Sequence, residues 1–144
     1  MDNIQHQYIS DLRTVLTRLI KKLRRESATG QHLSLTERST IALLYQNGSL
    51  LPSELASMEK ITNQSMSQIL NHLLELGYIS RTVSETDKRK VLIALTPQGE
   101  EVLIRVRNER DQWLTKAINA TCTPEEQQLL KRVLVPLTKI VDFE

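Results

Sequence analysis

Between positions 63 and 72 the sequence carries seven polar side chains: Asn63, Gln64, Ser65, Ser67, Gln68, Asn71 and His72. None is charged at neutral pH unless the histidine is protonated. Amides and hydroxyls are the groups that hydrogen-bond base edges, and Gln or Asn can pair bidentately with adenine. Interleaved with them, Met66, Ile69, Leu70, Leu73 and Leu76 recur at three- and four-residue steps, so one helix carries an apolar face and a hydrogen-bonding face. A plain solvated helix would also be amphipathic, but its outer face would hold mainly Glu and Lys. A second group follows at Asp87-Lys88-Arg89-Lys90. A guanidinium there could follow the enhanced negative potential of a narrow minor groove. A carboxylate beside it would repel phosphate unless it holds an arginine in place. Together the two groups point to duplex DNA.

Other chemistries find no support. The single cysteine, Cys122, excludes an internal disulfide and a cysteine-built zinc site, and it reads as an inert thiol. His6, His32 and His72 are far apart, so no metal site is expected. There is no glycine-rich phosphate loop, nucleophile elbow or zincin motif, so neither catalytic residues nor a cofactor are expected. The acid pairs Glu100-Glu101 and Glu125-Glu126 fall in the first turns of helices, where they complement the macrodipole.

The elements that must position these groups follow from periodicity and caps. Residues 4–26 read as one helix with a narrow apolar stripe (Ile4, Tyr8, Leu12, Val15, Leu16, Leu19, Ile20, Leu23), which implies a partner helix. After a loop over 27–35, Thr36 reads as the N-cap of a helix to about residue 46, stopped by Asn47-Gly48. Pro52 opens a short helix to Lys60. Thr62 caps the polar-faced helix, which ends at Gly77. Residues 78–83 and 91–95 alternate in the manner of strands around the charged tip, which predicts a β-hairpin. Thr96-Pro97 starts a helix of about 25 residues, polar throughout 107–112. Thr123-Pro124-Glu125-Glu126 forms a capping box for the last helix, in which Pro136 should kink the axis or remove one hydrogen bond. The expected fold is mainly α with a small β-hairpin wing.

The chain of 144 residues is 40% hydrophobic and 25% charged, an ordinary globular balance. Its net charge of +2 is too small to argue for nucleic acid by itself. No apolar run approaches the ~20 residues of a membrane span, and no secretory apolar core is present, so no membrane partner is expected and the expected compartment is the cytoplasm.

A short helix, a turn, a second helix and a hairpin make the winged helix-turn-helix order. Over residues 35–99 the chain resembles the MarR family of bacterial transcriptional regulators. The resemblance is carried by Leu35-Thr36, Ser53-Glu54-Leu55-Ala56, Leu73, Leu76-Gly77-Tyr78-Ile79, Arg81, the wing Asp87-Lys88-Arg89 and Leu95-Thr96-Pro97-Gln98-Gly99. The outer helices fit as well. The resemblance implies a homodimer joined by its N- and C-terminal helices, binding (pseudo)palindromic operator DNA, most often as a repressor. It divides one integrated domain into an N-terminal dimerisation helix (1–34), a DNA-binding unit (35–96) and C-terminal dimerisation helices (97–144). It implies that Arg89 enters the minor groove, that Asp87 orients wing arginines, and that Arg81 contacts phosphate or braces the wing. The polar helix lacks Arg and Lys, so electrostatic affinity is expected from Lys88, Arg89, Lys90, Arg38, Lys60 and helix termini. The family further implies a small phenolic or lipophilic effector in a crevice whose expected lining is His32, Tyr45, Arg107 and Trp113. The competing reading is a winged-helix protein–protein module or antirepressor with little DNA affinity.

Overall fold

Thr62, Thr96 and Thr123 each accept a hydrogen bond from the backbone N–H three residues on, and each starts a helix where its sequence context predicts one. A computed structural model describes residues 3–144. In chain order these form α1 (Asn3–Arg25), α2 (Leu35–Asn47), β1 (Ser49–Leu50), α3 (Pro52–Glu59), α4 (Asn63–Glu75), β2 (Ile79–Val83), β3 (Val91–Leu95), α5 (Pro97–Thr121) and α6 (Pro124–Val141).

Two local expectations are corrected. The N-cap of α2 is Ser34 and not Thr36. Ser34 Oγ accepts from the Glu37 backbone N–H at 3.1 Å, while Glu37 Oε1 accepts from the Ser34 N–H at 2.8 Å, a reciprocal capping box. Thr36, already inside the helix, accepts from the Thr40 hydroxyl through its carbonyl. The hairpin is also joined by a third strand, giving the antiparallel order β1-β3-β2 with Leu50 opposite Ile93 and Ile79 opposite Leu95. Gly48, at φ 81°, turns the chain out of α2 into this strand.

The core lies where α2, α3 and α4 meet the sheet. Leu33, Ile41, Leu44, Leu55, Met66, Leu70, Leu73 and Ile93 are fully enclosed there. Truncating one of these leucines to alanine should cost about 2–5 kcal/mol. The core does not stop at residue 96, because Val102, Leu103 and Val106 on the first half of α5 are buried against it. The junction of hairpin and α5 explains the Leu-Thr-Pro-x-Gly run. Thr96 Oγ1 donates to the Gly77 carbonyl at 2.6 Å and accepts from the Gly99 N–H at 3.1 Å. A Cβ at Gly99 would collide with the Tyr78 carbonyl. The angle between wing and long helix is set here.

Helices α1 and α6 contain no buried residue. Ile4 (78% exposed), Val141 (80%) and Phe143 (84%) stand in solvent. Helix α6 continues through Pro136 as one helix despite the N–H that proline lacks. No described helix is long and apolar enough to cross a membrane.

Candidate nucleic-acid interface

Helix α4 divides as its sequence period requires. Met66, Leu70 and Leu73 fix it to the core, and Asn63, Gln64, Ser65, Ser67, Gln68 and Asn71 are exposed on the outside. Its first turn is organised by Thr62, whose hydroxyl accepts from the Ser65 N–H and donates to Ser65 Oγ at 3.0 Å. Lys60, left-handed at φ 57°, ends α3 and makes the tight turn before it.

His72 departs from this face. It is half-buried, and its Nδ1 meets Oε2 of the buried Glu37 on α2. The hydrogen bond with Glu37 raises the imidazole above the ordinary histidine value. Burial pushes Glu37 the other way, but hydrogen bonds from Ser34 and His72 leave its carboxyl below the usual carboxylate range. His72 thereby joins α4 to α2, while its side chain keeps 44% of its surface exposed.

At the hairpin tip, Asp87 Oδ1 accepts from the Arg89 backbone N–H and from Nε, both at 3.1 Å, and Oδ2 accepts from Nη2 at 3.3 Å. These bonds, the side-chain ones first, hold the Asp87 carboxyl below its ordinary pKa. The Arg89 side chain is nevertheless 90% exposed. The turn beneath it is closed by the Lys90 N–H on the Asp87 carbonyl and by buried Ser84, whose Oγ meets Thr86. Lys88 and Lys90 are exposed on either side. The tip thus presents a guanidinium already aimed by a carboxylate. At the base of the hairpin, Arg81 Nη2 donates to Asn71 Oδ1 at 3.1 Å, which ties β2 to the outer face of α4.

The expectation for Arg38 fails on tertiary grounds. Arg38 is only 8% exposed, and its Nε and Nη2 donate to the Gly30 carbonyl, so it cannot lie on an outer face. Burial, and then the neighbouring Arg110 and Arg24, make its charge harder to hold. Its Nη1 is enclosed and has no partner among the described residues. Of the expected crevice lining, Arg107 and Tyr45 are in contact, while His32 and Trp113 each have other partners. His32 Nε2 bonds the Tyr78 hydroxyl at 3.0 Å, and Trp113 lies under Lys22. Arg107 stacks on the exposed Tyr45 at 5.7 Å. Of the four, only Arg107 lines a crevice of about 270 Å³ between α2 and α5. Its other walls are mostly apolar (Leu33, Ile41, Val102, Val106 among them), and Arg38 and Arg110 also line it.

Several positioning residues escaped the sequence reading. Glu37 pins His72, and Arg110 completes the crevice. Glu109 holds the α1–α2 loop by accepting from Thr29 Oγ1, the Thr29 N–H and Ser27 Oγ. Thr29 foremost keeps the Glu109 carboxyl below its ordinary pKa. The Ser34-x-x-Glu37 capping box left a local signal, as did the helical face that Arg110 shares with Val102, Leu103 and Val106. No group of His, Cys, Asp and Glu able to hold a metal occurs among the described residues.

Comparison with known proteins agrees with this geometry. A family model described as the MarR family matches residues 33–91. The HTH-type transcriptional regulator FarR of Neisseria gonorrhoeae is 34% identical over 102 residues, covering 71% of this chain and 69% of that protein. Among solved structures, a transcriptional-regulator protein from Pseudomonas aeruginosa PA01 superposes with a TM-score of 0.86 at 26% identity, covering 99% of this chain and 100% of that one. A point mutant of S. aureus MepR, solved bound to an oligodeoxyribonucleotide, shares the fold with a TM-score of 0.71 at 19% identity, over 94% of this chain and 98% of that one. With the capped polar helix, the aspartate-held wing arginine and these relatives in agreement, the chain belongs to the MarR family of winged helix-turn-helix, DNA-binding transcriptional regulators.

Proposed function

We propose that two copies of the chain join through α1 and α6 and bind a (pseudo)palindromic operator in the cytoplasm, acting as a repressor. The 1–34 and 97–144 segments supply the dimer seam and 35–96 the DNA-binding unit. The observation that carries this reading is the wing tip, where an exposed Arg89 is pre-aimed by Asp87 next to a helix whose outer face is uncharged and hydrogen-bonding. Helix α4 enters the major groove with Asn63, Gln64, Ser65, Ser67, Gln68 and Asn71, while Arg89 follows the minor groove and Lys88 and Lys90 meet phosphate. The bare apolar stripes of α1 and α6 supply the reason to dimerise, and the MepR structure bound to an oligodeoxyribonucleotide supports DNA as the partner.

The crevice between α2 and α5 is the proposed effector site. Its apolar walls and three guanidiniums suit a small lipophilic molecule with an anionic head. Such a ligand would act by favouring a spacing of the two α4 helices that no longer matches one turn of DNA. The test is retention of genomic fragments by the purified protein, followed by hydroxyl-radical footprinting of a retained fragment. Two protected half-sites about 10 bp apart are expected. A folded protein that retains no fragment would contradict the reading and favour a protein-binding module.

A further inference from the structure

Helix α4 has no Arg or Lys, yet a guanidinium lies on its outer face, supplied by Arg81 from β2. The contact at 3.1 Å settles a question that an amide usually leaves open. Arginine carries donors and no acceptor, so the Asn71 atom facing it must be the carbonyl oxygen. That leaves Nδ2, a donor, as the free end of the Asn71 amide. The remaining N–H groups of Arg81 are donors too. Beside amides and hydroxyls that can donate or accept, this pair offers several donors against the one lone pair that Asn71 Oδ1 keeps.

We propose that Arg81 fixes the Asn71 amide so that the pair reads guanine in the major groove. Adenine presents one acceptor, N7, beside a donor, N6; guanine presents two acceptors, N7 and O6. Bidentate pairing of asparagine with adenine needs the amide oxygen turned toward N6; here Arg81 takes one of its two lone pairs and sets its direction, while the donors of the pair match the two acceptors of guanine. Both residues are exposed, so in free solution their bond is weak. Water exclusion by bound DNA strengthens it and raises the cost of an unmatched donor. Arg81 is thus a specificity-determining residue acting partly through Asn71. This corrects the adenine pairing that the residue type of Asn71 alone would predict. The proposal rests on the placement of α4 in the major groove.

The test is selection from a random duplex library by the full-length protein and by its Asn71→Ala, Arg81→Ala and Arg81→Lys variants. Their folding is checked by circular dichroism and melting. In the wild-type site, one guanine in each half-site is expected to lose its preference in Asn71→Ala. In Arg81→Ala that same position should shift from guanine toward adenine as the freed amide turns over, with about a tenfold fall in discrimination and other positions unchanged. Arg81→Lys, which keeps a donor, should retain guanine. An adenine at the Asn71-dependent position of the wild-type site would overturn the proposal. So would an unchanged preference in Arg81→Ala, or no position responding to Asn71→Ala. Enrichment of no sequence by the folded wild type would instead overturn the operator reading beneath it.

Discussion

Replacing Arg89 by alanine removes one exposed cation from each wing and leaves the core untouched, since among the described residues only Asp87 bonds the side chain. If each guanidinium neutralises one phosphate, a dimer loses two contacts, and the log–log salt slope should flatten by about 1.8. The wild type, being steeper, should lose its advantage as salt rises: between about 50 and 200 mM the gap should close by about twelvefold. Asp87→Ala should behave differently. The arginine and its charge remain, so the slope should stay close to that of the wild type. Affinity should still fall by about two- to tenfold per wing, the cost of ordering a side chain no longer held in place. Fluorescence anisotropy with a labelled retained duplex, titrated at four or more salt concentrations, separates the two effects. An Arg89→Ala protein with wild-type affinity and slope would mean that the wing does not touch DNA. An Asp87→Ala protein that binds more tightly than wild type would mean that the carboxylate merely repels phosphate.

Leu16→Glu on α1 or Leu137→Glu on α6 should weaken self-association by about a hundredfold or more, since each copy buries an unpaired charge in the seam; sedimentation with wild-type dimer stability would contradict this. The His72–Glu37 bond makes stability depend on pH with a definite sign. The raised histidine contributes fully below the ordinary value near 6.5 and loses its contribution as pH climbs through its folded value. The depressed Glu37 contributes above about 4.5 and loses its contribution as pH falls through its own folded value. A His72→Gln variant should therefore melt below wild type near pH 6, and the difference should fade toward pH 9; a constant difference across that range would refute the pairing. For the crevice, release of DNA by a lipophilic carboxylate such as a substituted benzoate should exceed release by its primary amide and be weakened by Arg110→Ala; equal potency of acid and amide would count against an anion site.

The parts of the fold that were legible in the sequence are those set by neighbours in the chain. Thr62, Thr96 and Thr123 could be placed as caps because a cap bonds three residues ahead, and the hairpin because strand alternation is local. The Asp87–Arg89 pair was legible for the same reason: its members are two residues apart. The misplaced cap of α2 is a local error, Thr36 chosen over Ser34, but most other failures involve partners from elsewhere. Arg38 looked like a free cation until the Gly30 carbonyl and α5 enclosed it. His72 has the right period for the outer face, but the carboxylate that it bonds is 35 positions away. Strand β1 has two residues, too few to show any alternation. The crevice was partly recoverable, because Val102, Leu103, Val106, Arg107 and Arg110 share one helical face. Choosing aromatic residues as its lining instead led to Tyr45 and Trp113, which pack under cations outside it.

The central claim is that a pair of these chains grips one duplex through two polar helices and two arginine-tipped wings. Sedimentation of the protein with a fluorescent duplex bearing the selected palindrome tests it most directly. The expected result is a single complex of two chains per duplex, with half the palindrome bound far more weakly than the whole. A folded monomer that leaves the duplex free, or a complex of equal strength on one half-site alone, would contradict the account.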